Sequence, residues 1–286
     1  MNTDKEYDPA VLRKLQLTEL EILKDFDSLC KKYEISYSIC GGSAIGALRH
    51  GGFIPWDDDL DVFLTREEYE RLMEVAEKEL SDRYHIYCAD RTPNYPALNT
   101  QIVKKGTKFR PMCFKNVKCD LGIFLDIFPY DKTEKNPVLR KKQIRSAWIW
   151  GKLYILRLIP FPVLPFKGVK GKVVKFACGF IHYLMVVCRI SPKWLYRKYR
   201  EVCLRYADSD SELYVDLQYT FPERLLITKN DIYPTATVQF EGVDVSIIRT
   251  YHDYLSRQYG DYMQVPPPEK QRNHFPYELD FGDGNE

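Results

Sequence analysis

Residues 41–62 read Gly-Gly-Ser-Ala-Ile-Gly-Ala-Leu-Arg-His-Gly-Gly-Phe-Ile-Pro-Trp-Asp-Asp-Asp-Leu-Asp-Val. The stretch joins a glycine-rich turn to a carboxylate cluster. Glycine lets the main chain approach a ligand closely and adopt positive φ, so Gly41, Gly42 and Ser43 can present backbone N–H groups to a phosphate. Asp59-Leu60-Asp61-Val62 alternates acid and aliphatic. On a strand this sends Asp59 and Asp61 to one face, about 7 Å apart, and Leu60 and Val62 into the core. Two such carboxylates repel each other unless a cation lies between them, and a hard divalent ion such as Mg²⁺ is the natural occupant.

Working outward, Leu12, Leu15, Leu20, Leu23, Phe26 and Leu29 recur at helical spacing and predict a helix over residues 9–34. Residues 35–40 alternate as a strand entering the glycine turn, and Ser43 is the expected N-cap of a short helix to Arg49. Thr65-Arg66-Glu67-Glu68 reads as a capping-box variant opening a helix to Leu80. Strands are expected over 84–88, 98–104, 123–128, 224–227 and 237–247, and a helix over 252–260 ended by Gly260. Leu125-Asp126-Ile127 embeds an acid among aliphatics, which is costly unless the acid is paired or ligates metal. Asp126 is therefore the candidate third carboxylate beside Asp59 and Asp61, and the general base favoured for a hydroxyl nucleophile. The fold class is α+β, a mixed sheet core flanked by helices, with a basic helical segment inserted.

The near-neutral formal charge of +2 hides an asymmetry: residues 135–205 hold 17 Lys or Arg against one acid, Glu201. Their aromatic and basic helices, including the apolar run 173–190, suit either an anionic membrane surface or a solvated helical subdomain. No helix-turn-helix, RRM or zinc-finger pattern supports nucleic acid. The eight cysteines form no CxxC pair, and the polar residues 1–9 do not resemble a secretory signal. Reduced, mostly buried thiols in a cytoplasmic protein are expected, at the inner face of the membrane if the basic segment docks there. The domain reading is 1–134 as catalytic core, 135–205 as basic segment and 206–286 as the part completing the catalytic domain.

Gly-Gly-Ser-x-x-Gly-x-x-Arg-His, then Ile54 to Asp61, Leu125 to Asp131, and the closing Tyr251-His252-Asp253, Tyr259-Gly260-Asp261-Tyr262 and Pro266-Pro267 together resemble the LicD family. That resemblance implies a nucleotidyltransferase-like core. It also implies transfer of a phosphorylated alcohol, such as phosphocholine or an alditol phosphate, from a CDP-linked donor to a cell-surface glycan, with release of CMP. Asp59, Asp61 and Asp126 match the metal-binding acids, expected to hold two Mg²⁺ or Mn²⁺ ions. Gly41, Gly42 and Ser43 match the phosphate turn, and Arg49 sits where a guanidinium could reach the donor phosphates. Gln101 departs from the family's expected Lys, so either Lys104 takes over a phosphate contact or the donor headgroup differs. The acceptor glycan is expected to be lipid-linked or free.

Asp57 and Asp58 are secondary candidates that could instead brace the loop, and Trp56 reads as a packing residue rather than a base platform. His50, His252 and His274 show no metal spacing and read as hydrogen-bonded structural residues. His274 with Lys270 and Arg272 has a second reading, as a cap over the site meeting phosphate or acceptor. Two alternatives to the CDP-linked transfer stand: a nucleotidyltransferase moving NMP from an NTP, and a non-catalytic membrane scaffold built on residues 135–205. Three mutually repelling acids argue against the scaffold.

Overall fold

A computed structural model describes residues 6–162 and 168–282 of the chain. The polar start of the chain, part of the irregular run before Gly168, and the last four residues of the expected tail lie outside the described residues.

Helix α1 (Pro9–Lys32) begins where the Asp8 carboxylate accepts from the N–H groups of Ala10 and Val11, with Pro9 at a position that has no bond to lose. Its apolar stripe, Leu15, Leu20, Leu23, Phe26 and Leu29, is buried against the sheet as the spacing predicts. Strand β1 (Ser38–Ile39) is much shorter than the 35–40 alternation suggested, and runs directly into α2 (Gly41–His50). The glycine turn is thus the first turn of a helix. Cys40, not Ser43, is its N-cap, and Gly51 at φ 70 closes it.

β2 (Asp61–Thr65), α3 (Arg66–Leu80), β3 (Tyr84–Tyr87), β4 (Thr100–Lys104), β5 (Lys108–Pro111) and the long β6 (Phe124–Thr133) follow. Thr65 precedes α3 but makes no side-chain cap; its hydroxyl lies 3.3 Å from that of Tyr233. The capping box that does form is Thr228 with Asp231, at α7 (Lys229–Ile232). Strands β7 (Leu213–Val215), β8 (Ile227–Thr228), β9 (Ala236–Phe240) and β10 (Val243–Ile247) complete the large sheet. α8 (Tyr251–Tyr259) and β11 (Pro276–Asp280) end the described chain. The strand expected at 224–227 is a turn of 3-10 helix, Pro222–Leu225, before β8.

The sheet order is β3-β4-β6-β2-β1-β10-β9, with β7 pairing the far end of β6 and β8 pairing β7. The pairs β2–β6 and β1–β10 are parallel and the others antiparallel, so the mixed character expected is present. β5 and β11 form a separate ribbon. The main core lies between the sheet, α1 and α3. A second core gathers around α4 (Pro137–Leu158) and α6 (Pro192–Cys203), where Ala147, Tyr154, Leu195 and Tyr199 are buried with Tyr95. α5 (Gly168–Val187) borders the second core through Met185 and Cys178, and only Gly179 and Met185 of its residues are buried.

One buried ion pair ties the two halves of the core. Arg66 at the start of α3 holds Asp131 of β6 with two bonds, Nε to Oδ1 at 2.7 Å and Nη2 to Oδ2 at 3.2 Å. Both side chains are nearly inaccessible. Removing one partner leaves a desolvated charge, so Arg66→Met is expected to lower the unfolding free energy by about 3–5 kcal/mol, read by urea titration. Adding Asp131→Leu to Arg66→Met should recover most of that loss.

Candidate active site

Backbone pairing assembles the site. The N–H of Asp126 donates to Leu60 O at 2.9 Å and that of Cys40 to Asp61 O at 3.0 Å. These bonds lock β1, β2 and β6 side by side and bring Asp61 into register with Asp126 on the neighbouring parallel strand. Strand neighbours lie about 4.8 Å apart, so the two side chains leave the same face of the sheet, and Asp61 is within the field of Asp126. The Asp61 N–H donates to Ser43 Oγ at 2.8 Å, which pins the first turn of α2 to the start of β2. Asp59 lies just before the regular strand, in the loop that also carries Asp57 and Asp58.

The N-terminus of α2 rests on these acids. A Cβ on Gly41 would come within 3.1 Å of Asp61 Oδ2 and 3.7 Å of the Tyr259 hydroxyl, and one on Gly42 would overlap the Asp57 carboxylate. The first amides of a helix have no carbonyl partner inside it, so Gly41, Gly42 and Ser43 offer donors beside the carboxylates.

Electrostatics sets the character of the site. Burial and mutual repulsion push Asp57 and Asp61 well above the usual carboxylate range. Burial likewise pushes Asp126 up to about 7, against hydrogen bonds that work the other way. Those bonds come from Asn99 Nδ2 at 2.6 Å and Gln101 Nε2 at 2.8 Å, both to Oδ1. Gln101 therefore orients Asp126 without adding charge, where a Lys would neutralise it. Asp58 is wholly buried and fully engaged: Tyr7 OH donates to it at 2.7 Å and the His274 N–H at 2.7 and 2.9 Å. It braces the loop. His274 Nδ1 lies 3.1 Å from Asp59 Oδ2 and 3.4 Å from Asp58 Oδ1, and these hydrogen bonds raise its pKa far above the ordinary histidine value.

The donor set fits a hard divalent cation. It is rich in carboxylate oxygen, and Asp58, Asp59 and, with its imidazole neutral, His274 can place ligand atoms within 4.8 Å of one another; Asp61 and Asp126 stand outside that group. Beneath the loop sits Glu19 of α1, fully buried, with no hydrogen-bond partner for either oxygen among the described residues. Burial, then the field of Asp59, Asp58, Asp57 and Asp61, raises its pKa strongly. One turn earlier on the same helix, Gln16 donates to Asp57 O at 3.0 Å, which places this face of α1 under the acids.

The remaining predicted residues are placed elsewhere. Lys104 is corrected: three positions beyond Gln101 on an alternating strand it faces away, and its Nζ pairs with Glu21 Oε2 at 2.6 Å. Arg49 spends Nη1 on the carbonyls of Tyr262 (2.7 Å) and Gln264 (3.1 Å) and so anchors the C-terminal loop, while its Nε donates to the exposed His50 Nε2 at 2.9 Å. Arg272 holds the carbonyls of Glu269 and Gln271, and Lys270 is exposed. His252 meets the Tyr262 hydroxyl at 3.0 Å, a structural role as read. Trp56 is half-buried against the main core, and also lines a cleft of about 500 Å³ with Tyr7, Arg13 and Arg272.

Glu19, Asn99, Tyr7 and Tyr259 are site residues that pattern reading passed over. Glu19 was detectable, since it interrupts the apolar stripe of α1. The others act through tertiary contacts that carry no local signature.

The raised carboxyls give a signed pH dependence. The native state keeps protons on Asp126 that the unfolded chain, at its ordinary 3.8, has released. That stability is complete below about pH 4 and lost as pH rises through about 7. The metal-free melting temperature should therefore fall across this window. Asp126→Asn and Glu19→Gln should each flatten the fall, and Mg²⁺ should raise the melting temperature most at its upper end.

Residues 34–173 match the family profile described as LicD/FKTN/FKRP, nucleotidyltransferase domain. The chain is 30% identical over 277 residues to the lipopolysaccharide cholinephosphotransferase LicD of Haemophilus influenzae, covering 92% of this chain and 95% of that protein. A shorter similarity, 39% identity over 62 residues, links it to an uncharacterized protein of Rickettsia prowazekii, over 22% of this chain and 23% of that one. Carboxylates in register on parallel strands, a helix N-terminus laid on them, and a full-length relative together show that the chain belongs to the LicD family.

Proposed function

We propose that this enzyme transfers a phosphocholine-type group from a CDP-linked donor to a hydroxyl of a lipopolysaccharide-type glycan, releasing CMP. The observation that carries this is the Asp61–Asp126 register beside the α2 N-terminus, in a chain aligned along most of its length with a lipopolysaccharide cholinephosphotransferase. Asp59, Asp61 and Asp126 would hold one or two Mg²⁺ or Mn²⁺ ions. Such ions, when bound, neutralise the donor diphosphate and polarise the phosphorus under attack.

The chain's own groups supply the rest. The amides of Gly41, Gly42 and Ser43 face the donor phosphates and fix the phosphorus in line. Asp126, with Oδ1 held by Asn99 and Gln101, takes the acceptor proton on Oδ2. The acceptor oxygen bonds to the β-phosphorus, the bond from that phosphorus to the bridging oxygen breaks, and CMP departs with the electron pair. His274 and Tyr7 hold the Asp57–Asp59 loop in shape during this exchange.

The test is CMP release from CDP-choline, CDP-ethanolamine, CDP-glycerol and CDP-ribitol with a lipopolysaccharide or teichoic-acid acceptor, plus Mg²⁺ or Mn²⁺. CDP-choline is expected to react fastest. Pyrophosphate release from an NTP, with no CMP from any CDP-alcohol, would sink the reading. Asp61→Asn should abolish turnover, and Asp126→Asn should lower kcat by about 10²–10⁴ with the fold intact. An Asp126→Asn enzyme of full activity would remove that residue from the role of base.

A further inference from the structure

α5 presents an apolar face that nothing in the described chain covers. Val169, Val173, Phe176, Phe180, Leu184 and Val187 are each between 51% and 79% exposed. At 100° per residue they fall within an arc of about 80° along the whole helix. The opposite side is fastened inward: His182 Nδ1 lies 2.9 Å from Leu156 O on α4, the Phe161 ring packs on Gly179, and Met185 is buried. The apolar stripe is therefore held outward by the packing behind it.

Charge selects what meets this face. Lys170 and Lys172 flank the stripe on its two sides by the same helical geometry, and neither α4 nor α5 contains an acid. A second copy would bring two such basic surfaces together and oppose like charges. An anionic bilayer answers both features, taking the apolar side chains below its headgroups and the lysines at their level. No single helix among the described residues is long and apolar enough to cross a membrane; α5 passes that test only jointly with residues Pro192–Tyr206, bent from it by 108°, and those carry the buried Leu195, Tyr196 and Tyr199 of the second core. A 20-residue helix is about 30 Å long and can lie along the surface.

We infer that α5 is a membrane-surface helix, docking the protein on anionic lipid through the Val169–Val187 stripe and its flanking lysines. This is independent of the donor chemistry, so either reading can fail without the other.

The test is co-sedimentation of the full chain with vesicles of phosphatidylcholine alone, or of two parts phosphatidylcholine to one part phosphatidylglycerol. Pelleting is expected with the anionic vesicles, weakening as salt rises. Joint replacement of Phe176→Glu and Phe180→Glu should weaken it by at least about tenfold, at unchanged circular dichroism. Lys172→Glu should weaken it less. Should the double variant misfold, Val169→Ser with Val187→Ser, both far out in solvent, carries the same expectation at about threefold. The inference is overturned if the wild type fails to pellet, if it pellets equally with neutral vesicles, or if well-folded variants pellet as the wild type does. It is also overturned if sedimentation velocity without lipid shows a dimer that the phenylalanine replacements dissolve.

Discussion

The parallel pairing of β2 with β6 is the constraint on which the molecule depends. It sets Asp61 opposite Asp126, two like charges on adjacent strands of a buried sheet. Nothing in the pairing favours that juxtaposition; the electrostatic cost is set against backbone bonds from Asp126 to Leu60 and from Cys40 to Asp61. Leu60, Val62, Leu125 and Ile127, all buried, contribute the hydrophobic return. A one-residue slip would exchange these aliphatics for the acids, so burial on one face enforces charge convergence on the other.

Around that pair the chain spends polar contacts on orientation and leaves charge largely uncompensated. Asn99 and Gln101 fix one oxygen of Asp126 without neutralising it. Asp57, Asp61 and Glu19 are all driven toward their protonated forms by burial and then by the field of neighbouring acids, Asp59 first among them. Arg66, by contrast, is committed to Asp131 at the other end of β6. The same strand thus carries a neutralised acid that secures the core and an uncompensated acid suited to chemistry.

The legible part of this was the part written in local pattern. Alternation at Asp59–Val62 and around Asp126 located the acids, and the glycines located the helix that meets them. The strand begins at Asp61, not Asp59, and the glycines start the helix rather than precede it; neither boundary is encoded in alternation alone. Lys104 was misplaced because a suitable charge near Gln101 in sequence faces the other side of the strand in space. Arg49 looks like a phosphate ligand by type, yet it holds two main-chain carbonyls 213 and 215 residues away. Asn99, Tyr7 and Tyr259 reach the site only through long-range packing, which no window of sequence records.

Asp58 joins parts of the chain that are far apart. It accepts from Tyr7, 51 residues before it, and from His274, 216 residues after it. A chain emerging residue by residue from the ribosome would therefore have its acidic loop exposed long before His274 exists to close it. Until then the acidic loop lacks the His274 side chain and the bonds that the His274 main-chain N–H makes to Asp58. The centre becomes competent only once the chain has been made through His274, so a chain shortened before that residue would carry the acids without the arrangement that makes them useful.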